Sequence, residues 1–179
     1  MSHLPSTTAI QSSSSPPTTK RGGKFLTFFL EQEEYGIEIL KVHEIIGLLT
    51  ITRVPRMPHH IRGVINLRGK VITVVDLRLK FGLESREATA ETCIIVVQTQ
   101  GIEMGIIVDK VSEVLAIAAS DIEDAPSFGD AVNTDYLLGI GKSQGRVRLL
   151  LEIDRVLSTQ EVILLHTADE SEETPLANS

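Results

Sequence analysis

The chain has 179 residues, of which 42% are hydrophobic, and this length suits one ordinary domain or two very small domains with packed cores. The formal net charge of -7 argues against nucleic acid or an anionic membrane as a partner, because neutralising phosphates requires clustered Lys and Arg. The single cysteine, Cys93, excludes a disulfide framework and fits a reducing cytoplasm.

The two ends of the chain carry no hydrophobic pattern. Residues 1–23 are rich in Ser, Thr and Pro, and residues 166–179 are acidic, so both segments are predicted to be disordered. The apolar runs are too short to span a bilayer, and the first residues lack the charged start and hydrophobic stretch of a signal peptide. We therefore expect a cytoplasmic protein with no direct membrane insertion.

Between residues 24 and 165, short runs rich in Val, Ile, Leu and Phe are separated by Gly, Pro, Asp and Asn at regular intervals. This spacing is typical of an all-β barrel with helix confined to short pieces. Strands are predicted, in chain order, at 25–30, 35–40, 42–46, 51–54, 63–68, 71–77, 92–99, 102–108, 111–117, 136–142 and 146–153. Short helical pieces are predicted after Pro58, at 77–81 before Gly82, after Asp154 and, as an amphipathic segment, at 158–165.

Hydrophobic alternation distinguishes these strands by their surroundings. Strands 25–30 and 71–75 are apolar on both faces apart from one threonine each. Such strands either lie between two barrels, which we favour because two barrels must bury a seam, or dock on a protein partner. In the last strand, one face carries Val147, Leu149, Leu151 and Ile153, and the face predicted to be solvated carries Arg146, Arg148 and Glu152.

The chain contains the same unit twice. Residues 36–45 read GIEILKVHEI and residues 105–114 read GIIVDKVSEV, with five identities at an offset of 69. The match resumes at an offset of 76 from Gly63 onward, so the second copy contains a seven-residue insertion. This period exceeds that of solenoid repeats and predicts two compact barrels that stabilise each other. The expected bounds are 24–90 for the first barrel, with a candidate contribution from 154–165, and 91–153 for the second.

No segment has the pattern of a catalytic or metal site. The string GIGKS at 139–143 lacks the first glycine of a phosphate-binding loop, and a strand follows where that loop needs a helix. His59 and His60 are neighbours on an extended segment, so their side chains point apart and would not share a metal ion. The acids at 121–124 lack the glycine and the terminal glutamate of a calcium loop. We therefore predict no catalytic residue, no metal and no cofactor.

The segment 61–70, IRGVINLRGK, is predicted to form two short strands joined by a tight turn at Arg68 and Gly69. The turn accounts for Gly69 but not for Arg62 and Arg68, which place two guanidinium groups beside an apolar strand of an acidic protein. Arginine next to exposed aliphatic surface is the composition of a protein-interface hot spot. Ordinary solvated arginines are the equally weighted alternative.

A charged pair recurs in both copies, as Lys41 with Glu44 and as Lys110 with Glu113. One interpretation is a salt link inside each barrel, since exposed pairs are common and individually weak. The other interpretation is a docking contact, and the sequence leaves both open.

Three motifs, KVHEI at 41–45, VPRMPHHIRGVINLRGKV at 54–71 and VDLR at 75–78, resemble those of one known family. This is the CheW family of bacterial chemotaxis coupling proteins, and the likeness extends from about residue 24 to residue 156. The resemblance implies an all-β fold of two SH3-like five-stranded β-barrels packed around a hydrophobic core, in agreement with the duplication. The chain departs from the family at Thr73, where members often have proline, so its strand is free to donate a backbone hydrogen bond there.

Members of this family are non-catalytic adaptors. The resemblance implies that this chain bridges the cytoplasmic tips of methyl-accepting chemoreceptors to a CheA-type histidine kinase, whose regulatory domain has the same two-barrel fold. Association with the membrane is then expected only through the receptors. The residues that match the family's receptor or kinase contact positions are Val42, Glu44, Arg62, Gly63 and Arg68.

Two alternatives to this function remain open. The first is the same kind of adaptor in a pilus-motility or other chemosensory-like pathway, which the sequence does not distinguish. The second is a small-molecule-binding or hydrolytic β-barrel. Its best acids would be Asp76 and Glu152, although they occupy equivalent positions in the two copies and do not form an evident pair.

Overall fold

The computed structural model describes residues 22–126, 135–157 and Glu161. The strands of the first half are β1 (Gly23–Leu30), β2 (Glu33–Glu38), β3 (Val42–Gly47), β4 (Ile61–Leu67) and β5 (Lys70–Asp76). Those of the second half are β6 (Cys93–Thr99), β7 (Ile102–Val108), β8 (Lys110–Ile117), β9 (Ile122–Glu123), β10 (Leu137–Ser143) and β11 (Arg146–Leu151). Two short helices, α1 (Leu77–Lys80) and α2 (Ile153–Val156), follow β5 and β11. The predicted all-β class with helix in short pieces is therefore confirmed.

The strands form two sheets, and each sheet combines strands from both halves of the chain. The six-stranded sheet has the order β8-β1-β2-β11-β10-β9, and the five-stranded sheet has the order β3-β6-β7-β5-β4. The β1–β2 hairpin thus lies among strands of the second half, and the β6–β7 hairpin lies among strands of the first half. The two halves exchange their first hairpins, so the division predicted at residues 90 and 91 does not coincide with the boundary between the sheets.

The duplication read from the sequence is visible in the strand order. At the two offsets, β1, β2, β3, β4 and β5 correspond to β6, β7, β8, β10 and β11, and α1 corresponds to α2. Exchanging these partners turns the order of one sheet into that of the other, with β9 as the only addition among the described strands. The parallel pairs are also equivalent, since β2 pairs with β11 as β7 pairs with β5.

Equivalent glycines allow the strands to approach closely in both sheets. A Cβ atom at Gly36 would lie 2.9 Å from Cδ2 of Leu150, and one at Gly105 would lie 2.7 Å from Cγ2 of Ile94. These two glycines start the identity-rich segments of the repeat. The recurrence of glycine at these two positions therefore has a packing cause, because a larger residue would require the neighbouring side chain to shift.

Three hydrophobic clusters show where the core lies. One cluster fills the five-stranded sheet, including Ile65, Val74 and Ile94, with Ile46 and Leu67 packed against it. Because strands from both edges of this sheet contribute to the cluster, the sheet curls around it as a barrel. A second cluster fills the six-stranded sheet, and the third and largest lies between the sheets. The members of the second cluster are Phe25, Ile117, Ile122 and Leu150.

The doubly apolar strands divide between the two predicted roles. In β1, Phe25 belongs to the interior of the six-stranded sheet, whereas Leu26, Phe28 and Leu30 belong to the cluster between the sheets. The inter-barrel interpretation of this strand is therefore confirmed. In β5, Val75 also enters the cluster between the sheets, but Val71 is 43% exposed.

The solvated face predicted for β11 is wrong at Arg148. This side chain is fully buried, and its Nε lies 3.0 Å from Oε1 of the buried Glu34 on β2. Arg148 also donates to the carbonyl oxygen of Ser143 at 3.0 Å. Val147, predicted to be inside, is instead 59% exposed. Arg148 and Leu150 of β11 face the barrel interior, where a carboxylate from the exchanged hairpin compensates the guanidinium.

One predicted strand is reduced to a bridge, and one observed strand was not predicted. Segment 51–54 contributes only the pair Thr52–Val64, in which each backbone N–H donates to the other residue's carbonyl at 2.8 Å. In the second half, β9 pairs Glu123 with Ile140, and Ile140 is the repeat equivalent of Val64. The Thr52–Val64 bridge and β9 are therefore equivalent pairings against the same strand of each copy. In the first half the pairing stops after one residue pair, because the prolines at 55 and 58 cannot donate backbone hydrogen bonds to a neighbouring strand.

The remaining element predictions have mixed outcomes. The segment after Pro58 is a turn, not a helix, whereas the pieces predicted at 77–81 and after Asp154 correspond to α1 and α2. The predicted disordered ends lie almost entirely outside the described residues. The amphipathic segment predicted at 158–165 also lies outside them, apart from Glu161.

Candidate functional site

The five predicted contact residues lie on the two edge strands of the five-stranded sheet and in the turn that follows one of them. Val42 and Glu44 lie on β3, Arg62 and Gly63 lie on β4, and Arg68 lies in the turn between β4 and β5. Strands β3 and β4 are the two edges of this sheet. Because the sheet curls around its cluster, residues that are distant in sequence meet where these edges approach each other.

An ion pair joins the two edges. Nη2 of Arg68 donates a hydrogen bond to Oε2 of Glu44. The turn presents Arg68 with φ of 53° and Gly69 with φ of 85°, and Asn66 Oδ1 accepts from the Gly69 N–H at 2.8 Å. The side chain of Arg68 is 70% exposed, so this pair contributes little to stability and its guanidinium is accessible to a partner.

The salt link considered between Lys41 and Glu44 is not present. Lys41 instead lies 2.8 Å from Asp154, and this hydrogen bond raises the pKa of Lys41. In the second half, Lys110 lies 3.2 Å from Glu91 rather than pairing with Glu113. In both copies the lysine therefore pairs with an acid outside the repeated segment.

Gly63 has a structural role in this sheet. It is buried with φ of +141°, and a Cβ atom there would lie only 2.0 Å from the carbonyl oxygen of Thr52. The pairing with Val74 also shifts register at this point, which marks a β-bulge. Gly63 therefore lets the segment containing Thr52 pair against β4 and cover its open edge.

Arg62 connects the edge of the sheet to the start of α1. Its Nε lies 3.8 Å from Oδ2 of Asp76, whose other oxygen accepts from the N–H groups of Arg78 at 2.9 Å and Leu79 at 3.4 Å. Asp76 is thus a helix cap. Its equivalent, Glu152, precedes α2 without a side-chain cap, and burial raises the pKa of Glu152. The two acids considered for a hydrolytic barrel thus precede two separate helices, and only Asp76 caps its helix.

Arg62 also lines a pocket of about 380 Å³ at the junction of the two sheets, called here the junction pocket. The buried Arg78 also lines this pocket, and in the sequence it was notable only for its place in the VDLR motif. Arg78 donates to Asp109 at 2.6 Å and to Glu31 at 2.5 Å, so it ties together turns from both halves. The apolar lining residues are Phe29, Leu48, Ile51 and Ile107.

Both barrels expose aliphatic side chains at equivalent positions. Ile45 on β3 is 45% exposed and Val71 on β5 is 43% exposed, and their repeat equivalents are Val114 at 51% and Val147 at 59%. Because Ile46 and Ile72 point into the barrel, Ile45 and Val71 lie on the outer face of the sheet. Exposed aliphatic side chains repeated on two barrels are typical of docking surfaces.

Among the described residues, no group of three or more His, Cys, Asp and Glu side chains could hold a metal ion. His60, considered as a ligand, pairs instead with Glu161, and burial is the main cause that lowers its pKa. The thiol of Cys93 is partly buried, and burial raises its pKa. In the same part of the chain, no helix is long and apolar enough to cross a membrane.

Comparisons with known proteins agree with this arrangement. A family model described as CheW-like domain matches residues 24–161. The chain is 41% identical over 150 residues to the chemotaxis protein CheW of Klebsiella aerogenes, covering 84% of this chain and 90% of that protein. It is 37% identical over 142 residues to the chemotaxis protein CheW of Bacillus subtilis, covering 79% and 90%.

A solved structure supports the same assignment. The crystal structure of the scaffolding protein TtCheW from Thermoanaerobacter tengcongensis matches with a TM-score of 0.72 and 34% identity, covering 79% of this chain and 96% of that one. This match confirms the prediction of two SH3-like β-barrels. The chain therefore belongs to the CheW-like family.

Proposed function

We propose that this chain is a non-catalytic adaptor that couples methyl-accepting chemoreceptors to a CheA-type histidine kinase in bacterial chemotaxis. The observation that carries the proposal is the meeting of the two sheet edges. There the exposed Arg68 pairs with Glu44 across the edge, and Arg62 lies partly exposed farther along β4. Accessible arginines beside aliphatic side chains suit recognition of another protein.

The receptor is expected to bind at the junction of the two barrels. Receptor tips of this class are helical hairpins, and an amphipathic helix needs an elongated apolar groove with polar margins. The junction pocket offers apolar walls from Phe29, Leu48 and Ile51, with Arg62 and Lys110 at its polar margins. Aliphatic contacts would supply affinity, and the charged margin would fix the orientation of the helices.

The kinase is expected to dock on an exposed part of a barrel, because its regulatory domain has the same two-barrel fold. The outward-facing pairs Ile45 with Val71 and Val114 with Val147 supply such surfaces on both barrels. Signalling would then be a change in the population of receptor and kinase states within the assembly, without chemistry in this chain. The protein would act in the cytoplasm and reach the membrane only through the receptors.

Charge reversal at Arg68 tests this proposal. Arg68→Glu should leave the fold intact and weaken binding of a purified receptor cytoplasmic fragment or kinase by about 30-fold or more, the loss of one hot-spot arginine. Arg146→Glu is the matched control, because Arg146 is similarly exposed, at 68% against 70%, and the charge change is identical. The control should bind within about twofold of the unchanged protein.

The binding is measured by pull-down and titration calorimetry with each partner separately. Unchanged affinity of Arg68→Glu for both partners would refute the role of this edge. The kinase that co-purifies with the chain from its own cells also tests the pathway, since a kinase of a pilus-motility system would contradict chemotaxis as the output.

A further inference from the structure

The segment between β3 and β4 forms a basic pocket on an acidic protein. This pocket, of about 390 Å³, is called here the arginine pocket, and no carboxylate is among its lining residues. The formal net charge of the chain is -7, so a local excess of guanidinium groups is unexpected from composition. The lining residues are Arg53, Val54, Pro55, Arg56, Met57, Pro58, His59, Ile61 and Arg62.

Two of the three arginines of this pocket have no ion pair with a described carboxylate. Arg53 and Arg56 are exposed and make no ion pair with any described carboxylate, and the ion pair of Arg62 with Asp76 is long, at 3.8 Å. Three guanidinium groups around one pocket repel each other in the absence of an anion. A carboxylate placed among them would remove this repulsion and accept paired hydrogen bonds.

The pocket is held in shape by its backbone. The Thr52–Val64 bridge fixes one end, and the Asp76 N–H donates to the His60 carbonyl at 2.8 Å near the other. Arg56 adopts a positive φ of 65° between two prolines, which restrict the neighbouring residues. Such a preformed site binds a ligand with little ordering cost.

Glu161 lies next to this pocket. The buried Glu161 pairs with His60, and both of its carboxylate oxygens lie 3.0 Å from Nζ of Lys80. His60 lies between two residues that line the arginine pocket, His59 and Ile61. The chain that follows Glu161 is therefore covalently tethered at a residue beside the pocket.

The tethered segment is rich in acids. The four carboxylates at 169–173 begin eight residues after Glu161, and eight extended residues span at most about 26 to 29 Å. A tether of this length keeps the carboxylates within reach of the arginines at an effective concentration of about the millimolar range. The four acidic residues are Asp169, Glu170, Glu172 and Glu173.

We propose that the arginine pocket is a carboxylate-binding site whose occupant is this chain's own acidic segment, residues 169–173. Charge complementarity, the preformed pocket and the position of Glu161 carry this proposal without reference to any partner. Its regulatory consequence rests on the proposed function. Because Arg62 lines both this pocket and the junction pocket, a bound acidic segment would compete with a partner for the same guanidinium.

A spin label tests the occupancy in the full-length chain. A nitroxide is attached at Ser171→Cys in a chain that carries Cys93→Ala, and relaxation of the backbone amides is measured by NMR. The expected result is strong broadening of the amide signals of 53–62, with little effect at the turn after β10. The broadening should disappear in about 1 M salt, where the Debye length falls to about 3 Å.

Two matched variants make the test specific. Arg53→Gln combined with Arg56→Gln should abolish the broadening, whereas Arg68→Gln combined with Arg146→Gln removes the same charge elsewhere and should leave it unchanged. Absence of broadening at 53–62, or broadening that persists without Arg53 and Arg56, would overturn the proposal. Signals of 53–62 that shift only when receptor or kinase is added would assign the pocket to a partner and overturn it equally.

The proposed function is tested separately. The relaxation measurement uses no partner, so its failure leaves the adaptor proposal intact. Conversely, if Arg68→Glu bound both partners with unchanged affinity, the role of the Arg68 edge would be refuted, whereas the broadening at 53–62 would still be expected. If both proposals hold, a chain with all four acids replaced by their amides should bind its partner several-fold more tightly than the unchanged chain.

Discussion

Replacing Arg148 by methionine should destabilise the protein severely, although Arg148 lies far from the proposed binding edge. Its side chain is 1% exposed and that of Glu34 is 5% exposed, with 3.0 Å between Nε and Oε1. Neither of these two atoms makes an aligned hydrogen bond, so the contact is an ion pair held by charge and by burial. Arg148→Met preserves much of the volume but leaves the Glu34 carboxylate buried and almost uncompensated.

The expected cost follows from that unpaired charge. Removing one partner of a buried ion pair typically costs about 3 to 5 kcal/mol. The second cation near Glu34, Arg146, lies 3.9 Å away and is largely exposed, so it compensates only weakly. The loss is a large part of the roughly 5 to 15 kcal/mol that stabilises an ordinary domain, and it should lower Tm by roughly 6 to 20 °C.

Urea unfolding followed by circular dichroism measures this cost. The control Arg146→Met removes an exposed arginine from the same strand and should change the free energy of unfolding by about 0.5 kcal/mol or less. The double variant Glu34→Leu with Arg148→Met replaces the whole pair by apolar side chains and should recover most of the loss. A single variant within about 1 kcal/mol of the unchanged protein, or a double variant as unstable as the sum of its parts, would refute the reasoning.

Three further predictions concern the edge, the surface charge and the exchanged hairpins. Gly63→Ala should cost at least about 2 kcal/mol in urea unfolding, because the added Cβ displaces Thr52 and breaks two backbone hydrogen bonds. The hydrogen bond from Lys70 holds the pKa of Glu103 below its ordinary value. Lys70→Met should therefore lower the free energy of unfolding near neutral pH, and the difference from the unchanged protein should vanish as the pH falls through the folded pKa of Glu103. A difference that does not depend on pH would contradict this. A chain cut after residue 90 should yield fragments that are unfolded alone and associate when mixed, as seen in their NMR spectra, because each supplies the central hairpin of the other's sheet.

The strands were predictable because residues typical of turns mark their ends. The turns at Arg68-Gly69 and Gln144-Gly145 have positive φ at both residues, as two-residue hairpin turns require. The glycine in each turn is the sequence signal that predicts it. The identity-rich repeat also predicted that two equivalent units exist. Most strand bounds therefore differ from the observed ones by one or two residues.

The exchange of hairpins was not predictable from the same signals. Because β1–β2 and β6–β7 have matching hydrophobic patterns, each could pair with the remaining strands of either half. Strand pairing depends on three-dimensional register and on close approaches such as Gly36 with Leu150, which no local pattern encodes. The position of Arg148 was missed for a related reason, since its partner Glu34 arrives from the other half of the chain.

The sequence singled out the candidate arginines but not the residues that they contact. The arginines at 62 and 68 stood out because they flank an apolar strand in an acidic protein. The residues that pair with these arginines could not be identified from the sequence, since the pairing of Arg68 with Glu44 depends on the curling of the sheet. Arg78 carried a weaker signal, because only burial reveals that it joins turns of both halves.

The duplication also separates what the two barrels share from what only one possesses. The exposed aliphatic positions recur in both barrels, as with Ile45 and Val114. The arginines do not recur, because the repeat equivalent of Arg62 is Leu138 and that of Arg68 is Gln144. Barrel-to-barrel docking needs only the shared aliphatic surface, so two such surfaces per chain would allow contacts at both ends. If the proposed adaptor function holds, discrimination of a charged partner would need the arginines, and it would therefore be confined to the barrel formed by the five-stranded sheet.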